Sequence, residues 1–290
     1  MYPCDMHSHT LRSDGNDTPQ ELLNNAKKAG LKVIAITDHD TPPPLDILDY
    51  AENLGIKYIP GYEFSCDTNV DDVHICGYGL DWNHPALAEE VADARASKSN
   101  AYRELCELLS KKGITVDWEK DILKDGRTAD DVERKHIFEA IAEKGYTPTW
   151  SEAKLMVRDN PELNIKRRKI NSIAAIKLIH ECGGIAILAH PYLIDETVAD
   201  GISRTEYIEM LIAAGIDGIE ASYTYDKTSY KGTMSPEKIE KEIRELYADR
   251  LLISGGSDYH AGHKKGNAKV RNLGERGISM EEFNKFKNLL

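Results

Sequence analysis

Metal-type side chains close short apolar runs from one end of this chain to the other, and no local motif gathers them. Six of the ten histidines fall in His7-Ser8-His9, Asp38-His39, His74, Ala189-His190-Pro191 and Asp258-Tyr259-His260, with Glu63 between the second and third of these. Each reads as following a run rich in Val, Ile or Leu, the pattern of a buried strand. Neutral imidazoles beside carboxylates suit a divalent metal of hard-to-borderline character. Structural zinc sites draw their ligands from neighbouring positions, whereas these run from His7 to His260. Only a fold that delivers many strand ends to one place can assemble them. The expectation is a multi-metal enzyme.

At 290 residues the chain has room for one large α/β domain with an insertion, or for two ordinary domains. No apolar run is long enough to span a membrane. The opening Met1-Tyr2-Pro3-Cys4-Asp5 reads as strand rather than as a basic-then-apolar leader, so the expected compartment is the cytoplasm. Five cysteines at unpaired spacings (Cys4, Cys66, Cys76, Cys106, Cys182) read as small buried residues, not as a disulfide framework or a thiolate metal site. The net charge of −12 argues against long non-specific contact with nucleic acid. An anionic substrate stays open, because divalent cations would reverse the sign of the field where the ligands meet.

The first 80 residues alternate strand and helix. Met1–His7 reads as a strand. Thr18-Pro19-Gln20-Glu21 opens a helix with Thr as N-cap, Pro at the first helical position and Glu closing a capping box, and Gly30 ends it. Val33–Thr37 reads as a strand covered on both faces, Leu45–Leu54 as a helix, and Lys57–Tyr62 and Val73–Tyr78 as strands. The alternation resumes with a helix over Ile173–Glu181 and the strand Ile185–Leu188. Helices near Tyr207–Ala214 and Pro236–Ala248 then separate the strands Asp217–Ala221 and Leu251–Ser254. Between Asp81 and Ile170 only polar helical stretches appear, over Ala86–Lys112 and Asp130–Lys144, followed by the basic run Lys166-Arg167-Arg168-Lys169. The expected organisation is a barrel domain over 1–80 and 171–290, with a helical insertion over 81–170 after the fourth strand. An open doubly wound sheet also places ligands at strand ends. Ligands from the whole chain are easier to gather in a closed barrel.

Asp5-Met6-His7-Ser8-His9-Thr10 with Ser13-Asp14-Gly15, Thr37-Asp38-His39, Gly61-Tyr62-Glu63-Phe64-Ser65, Val73-His74-Ile75, Ala189-His190-Pro191 and Gly256-Ser257-Asp258-Tyr259-His260 resemble, in order, the motifs of the PHP (polymerase and histidinol phosphatase) family. The resemblance implies a distorted (β/α)7 TIM-like barrel with two or three Mn, Zn or Fe ions at its C-terminal face. It implies one metal on His7, His9, Glu63 and Asp258, a second on the bridging Glu63 with His74 and His190, and a third on Asp14, His39 and His260. Glu63, Asp258 and His190 are the expected catalytic residues. Asp38 and Ser65, next to ligands, read as residues that orient them, and Glu220 as either a ligand or such a support.

The insertion resembles that of the family's nucleoside 3′,5′-bisphosphate phosphatase branch through Arg134-Lys135-His136-Ile137-Phe138. Arg134, His136, Arg167 and Arg168 are therefore the candidate substrate-binding residues. His136 reads equally well as a solvated or core histidine, and the Lys166–Lys169 run as a solvated face or a phosphate clamp. His84 and His180 read as structural; His263 goes either way. The resulting expectation is a metal-dependent phosphoric ester hydrolase. It would act on a small phosphorylated nucleotide or sugar through a metal-bridging hydroxide. The alternatives are 5′–3′ exonuclease-type trimming of nucleic-acid ends, cyclic phosphodiesterase or histidinol-phosphate phosphatase activity, and a non-catalytic metal-binding barrel. Guanidinium forks suit phosphate better than ammonium groups, which is why the arginines of the insertion carry the clamp reading.

Overall fold

A computed structural model describes residues 1–67, 73–163, 165–194, 202–262 and 269–289. His263 lies outside them. Internal contacts divide the chain into two units, one of Met1–Glu89 with Lys169–Leu290 and one of Glu90–Arg168.

In chain order the elements are β1 (Cys4–Asp5), α1 (Pro19–Lys28), β2 (Val33–Ile36), α2 (Leu48–Asn53), β3 (Lys57–Asp67), β4 (His74–Tyr78), α3 (Pro85–Lys111), α4 (Arg134–Glu143), α5 (Trp150–Arg158), β5 (Ile170–Asn171), α6 (Ser172–Glu181), β6 (Ile185–Leu188), α7 (Arg204–Ala213), β7 (Gly218–Ser222), α8 (Pro236–Tyr247), β8 (Leu252–Gly255) and α9 (Met280–Lys287). None of these helices is long and apolar enough to cross a membrane.

The start of α1 follows from its side chains. Thr18 Oγ1 accepts from the Glu21 N–H at 3.1 Å, and the Glu21 carboxylate accepts from the Thr18 N–H at 2.8 Å. Two donors that the helix cannot satisfy are thereby paired. Leu22, Leu23 and Ala26 lie on its buried face against Ile34 and Ile36 of β2.

The sheet of the first unit runs β1-β2-β3-β4-β6-β7-β8, with β5 added beside β3. Its pairings are parallel except at β4, which is antiparallel to both β3 and β6. Too few residues separate β3 from β4 for a crossover helix, so the chain must reverse. This corrects the reading of His74 as a residue that follows a strand. His74 is the first residue of β4, and the reversal brings that first residue to the rim where the parallel strands end.

β3 is also longer than the sequence suggests. It pairs with β2 over Lys57–Pro60 and with β4 over Gly61–Ser65, so Glu63 lies inside the strand. β1 is shorter than expected, but the chain beyond it continues along the last strand. Met6 N–H donates to Gly255 O at 3.0 Å, Asp258 N–H to His7 O at 2.9 Å and His9 N–H to Tyr259 O at 2.8 Å. These bonds join the two ends of the strand order, and the sheet is a nearly closed barrel. Its interior is filled by Met6, Val33, Ala35, Ile59, Tyr78, Ile187 and others, with Phe283 and Phe286 of α9 buried in the same cluster. The five cysteines are free and buried.

The second unit has its own apolar core, in which Leu105 and Leu109 of α3 meet Ile137 and Ile141 of α4 and Ala153 and Val157 of α5.

Candidate metal centre

Beyond β1 the chain stays extended, and alternation places His7 and His9 on the same side. Their Nε2 atoms lie 3.2 Å apart. Glu63 Oε2 is 3.3 Å from His7 Nε2 and 3.2 Å from His9 Nε2. Asp258 Oδ1 is 3.1 Å from His9 Nε2 and 3.7 Å from His7 Nε2. The other oxygen of Glu63 serves a different pair: Oε1 is 2.9 Å from His74 Nδ1 and 3.2 Å from His190 Nε2, and those two nitrogens are 3.2 Å apart. A third group gathers around Asp14 Oδ1, 3.0 Å from His260 Nε2, 3.8 Å from His9 Nδ1 and 4.0 Å from His39 Nε2. His39 also turns Nδ1 to within 3.0 Å of Glu63 Oε2. The nine metal-type residues singled out in the sequence therefore meet in one place, and His9 and His39 link the groups.

The donor set fits divalent cations. In two places imidazole nitrogens face each other at 3.2 Å, where two lone pairs repel unless a proton or a cation stands between them. His9 Nδ1 and His190 Nδ1 are buried with no hydrogen-bond partner among the described residues, and Glu63 Oε2 and His39 Nδ1, though 3.0 Å apart, are not aligned as a hydrogen bond. Buried polar atoms in that condition are costly unless something else satisfies them. The charges point the same way. Burial pushes the Glu63 carboxyl up, yet His39, His7 and His74 hold it well below the usual carboxylate range. Asp258 is likewise held low, against burial, by Arg271, His260 and His7. Burial opposes a charge on His9, but Asp258 and Glu63 outweigh it and raise its pKa to about 9. Ionised carboxylates and imidazoles crowded together away from water are the condition that a metal relieves by displacing protons.

The side chains of the cluster are held by partners of their own. Glu220 accepts from His7 Nδ1 at 3.3 Å, which leaves Nε2 as the free lone pair, and it also accepts from the His190 N–H at 2.8 Å. His260 Nδ1 donates to Asp258 O at 2.8 Å and turns Nε2 toward Asp14. Asp38 accepts from Thr10 N–H at 2.7 Å, Thr10 Oγ1 at 2.6 Å and Ser13 Oγ at 2.6 Å, clamping the loop that carries Asp14. Asp5, with its pKa raised to about 6 by burial, accepts from Ser257 N–H and Oγ and from Gly274 N–H. Ser65 takes part through its backbone, donating to Asp40 Oδ1 at 3.0 Å.

Two supports escaped the sequence reading. Tyr223 donates to Asp258 Oδ2 at 2.5 Å, and Arg271 Nη1 bonds both Asp258 O and Oδ2. Neither belongs to a short motif, and only their approach to Asp258 marks them. Asp258 and His190 both have positive φ, 50° and 30°. Such backbone is strained for residues other than glycine and collects at functional sites.

The candidate substrate-binding residues belong to the second unit. Arg134 opens α4, and its Nε is buried without a hydrogen-bond partner among the described residues. His136 Nδ1 accepts from the Glu133 N–H at 2.9 Å and so helps cap α4. Arg168 spreads its two terminal nitrogens over both oxygens of Glu90, at 3.2 and 2.9 Å. Arg167 precedes it in the segment that leads to β5. Outside the centre, His180 Nε2 bonds Asp217 at 2.8 Å, in keeping with a structural role.

Known proteins give the arrangement a context. The PHP domain family model matches residues 5–150. Over 261 residues, 88% of this chain and 89% of the relative, the sequence is 28% identical to a 5'-3' exoribonuclease of Haemophilus influenzae. It is 29% identical to a phosphoribosyl 1,2-cyclic phosphate 1,2-diphosphodiesterase of Eggerthella lenta, over 88% of this chain and 93% of the relative. It is also 29% identical to a 3',5'-nucleoside bisphosphate phosphatase of Chromobacterium violaceum, over 90% and 88%. Among solved structures, a putative metal-dependent phosphoesterase from Bifidobacterium adolescentis superposes with a TM-score of 0.76 at 26% identity, covering 99% of this chain and 96% of that one.

Proposed function

Because this chain belongs to the PHP domain family and is a metal-dependent phosphoesterase, we propose that it hydrolyses a small phosphorylated nucleotide or sugar at the Glu63-centred cluster. The observation that carries this reading is the split of Glu63: one fully buried carboxylate faces His7 and His9 with Oε2, and His74 and His190 with Oε1. We assign His7, His9, Glu63 and Asp258 to one ion, Glu63, His74 and His190 to a second, and Asp14, His39 and His260 to a third, the ions being Mn, Zn or Fe. Bound there, divalent cations supply an acidified water and neutralise charge on phosphoryl oxygens.

The chain's own groups do the rest. Glu63 and Asp258 keep the site anionic enough to concentrate cations. Glu220 and the Asp258 carbonyl select the tautomers of His7 and His260. Arg134, His136 and Arg167 of the second unit are suited to grip a phosphate that does not react, and Arg168 could join them by leaving Glu90. The five free cysteines support a reducing, cytoplasmic setting.

A second reading is favoured by the exoribonuclease relative, which aligns over most of the chain. In that reading the substrate is the 5′ end of a short oligonucleotide. The net charge of −12 supports a short strand over a long track.

One experiment tests the reading. Protein purified without oxygen is assayed for metal and for release of phosphate or nucleotide from a 3′,5′-bisphosphate, a ribose cyclic phosphate and a short 5′-phosphorylated RNA. Turnover of at least one is expected from the wild type, together with its loss in Glu63→Gln and a melting curve that shows a folded variant. Wild-type kcat in Glu63→Gln would sink the assignment of Glu63.

A further inference from the structure

Arg271 stands at the edge of the cluster with only part of its guanidinium committed. Nη1 donates to Asp258 O at 2.7 Å, bonds Asp258 Oδ2, and lies 3.4 Å from His260 Nδ1. Nε and Nη2 make no hydrogen bond among the described residues, although the side chain keeps only 11% of its exposure. Neither is among the buried polar atoms without a partner, so both reach solvent and stay open to an anionic ligand. Among the described residues the carboxylate bonded to it is Asp258, whose other oxygen, Oδ1, already faces His9 at 3.1 Å. Arg271 therefore sits one carboxylate away from the position where a metal would be held. Planar paired donors there match a phosphoryl group, whose peripheral oxygens carry the charge that grows during transfer.

We propose that Arg271 is a catalytic residue that holds the reacting phosphoryl group through Nε–H and Nη2–H while Nη1 braces Asp258. This inference rests on the phosphoesterase reading above and adds a substrate contact to it. It also separates two jobs within one side chain. Bracing Asp258 affects the metal, whereas gripping phosphate affects affinity for an anion.

The test compares wild type, Arg271→Ala and Arg271→Lys by metal content, p-nitrophenyl phosphate hydrolysis and calorimetric binding of inorganic phosphate. With metal content held at the wild-type level by added ion, Arg271→Ala should lose roughly 100-fold in kcat/KM, the scale of deleting one oxyanion donor. Phosphate binding should weaken in parallel. Arg271→Lys should recover only part of the loss, and added guanidinium should partly restore the alanine variant. Full recovery of Arg271→Ala by excess metal alone, with phosphate affinity unchanged, would overturn the proposal and leave Arg271 as a brace for Asp258. Should the variants fail to fold, phenylglyoxal modification of the wild type decides. Inorganic phosphate should protect Arg271 from the reagent, and equal modification with and without phosphate overturns the idea. A wild type inert toward every phosphate ester, yet with Arg271 protected by phosphate, would instead count against the enzymatic reading alone.

Discussion

Glu220 is placed to orient two imidazoles of the cluster at once. It is buried, and its carboxylate spans His7 Nδ1 and the backbone N–H of His190, so it ties together two of the cluster's imidazoles. Removing it frees the His7 ring to rotate or to take the other tautomer, and leaves a buried N–H unpaired. Glu220→Ala should therefore bind metal on the order of 10–100-fold more weakly, the usual effect of losing such an orienting partner. Titrating metal-stripped protein with Mn²⁺ checks this. Glu220→Gln, which keeps one acceptor, should fall between, and an unchanged Mn²⁺ affinity in the alanine variant would show that His7 needs no orienting partner. At the same scale the sequence was most legible. The nine metal-type residues were recognisable because each carries its chemistry in its own side chain and sits in a short motif. Tyr223 and Arg271 carried no such mark.

Between elements, the decisive features are the reversal at β4 and the seam between the barrel's two ends. The seam depends on a close approach that only glycine permits. A Cβ on Gly256 would stand 2.3 Å from His7 Cβ and 2.5 Å from His7 N. Gly256→Ala must push the end of β8 away from His7, stretching the Asp258–His7 and Met6–Gly255 hydrogen bonds. Overpacking of this kind costs about 1–3 kcal/mol and here displaces the backbone that carries His7 and Asp258. The variant should melt at lower temperature and hold less metal than wild type, as read by calorimetry and elemental analysis. A wild-type melting temperature would mean that the seam is looser than these distances imply. Helix limits such as those of α1 were legible because caps are local. The direction of β4 was not, since an apolar strand reads the same in either sense.

For the whole molecule, the question is what the second unit contributes, since the nine metal-type residues all lie in the first. Its core is self-contained, and its basic residues differ in how far they are committed. Arg168 is held by Glu90, His136 by the cap of α4, and Arg134 keeps a buried Nε without a partner. If the unit grips a phosphate that does not react, Arg134→Ala should lower kcat/KM for a nucleoside bisphosphate by roughly 1.5–3 kcal/mol in transition-state terms, the range for a charged hydrogen bond. Hydrolysis of p-nitrophenyl phosphate, which has no second phosphate, should hardly change. Equal losses on both substrates, or none on either, would remove Arg134 from substrate recognition. Arg168→Ala should have the smaller effect, because its fork must first leave Glu90.

By itself the sequence determined which side chains could ligate metal, the order in which they occur, and an α/β fold able to collect them. Those properties are local: an imidazole, a carboxylate, a cap or an apolar run is visible within a few residues. Tertiary structure alone decided which nitrogen each histidine presents and which partners brace these side chains, whereas their grouping was already implied by the family resemblance. His7 meets Glu220 across 213 positions of chain, and Asp258 meets Tyr223 across 35. Contacts at such separations leave no periodicity to read. They arise only when strand reversal and barrel closure bring distant backbone within hydrogen-bonding reach.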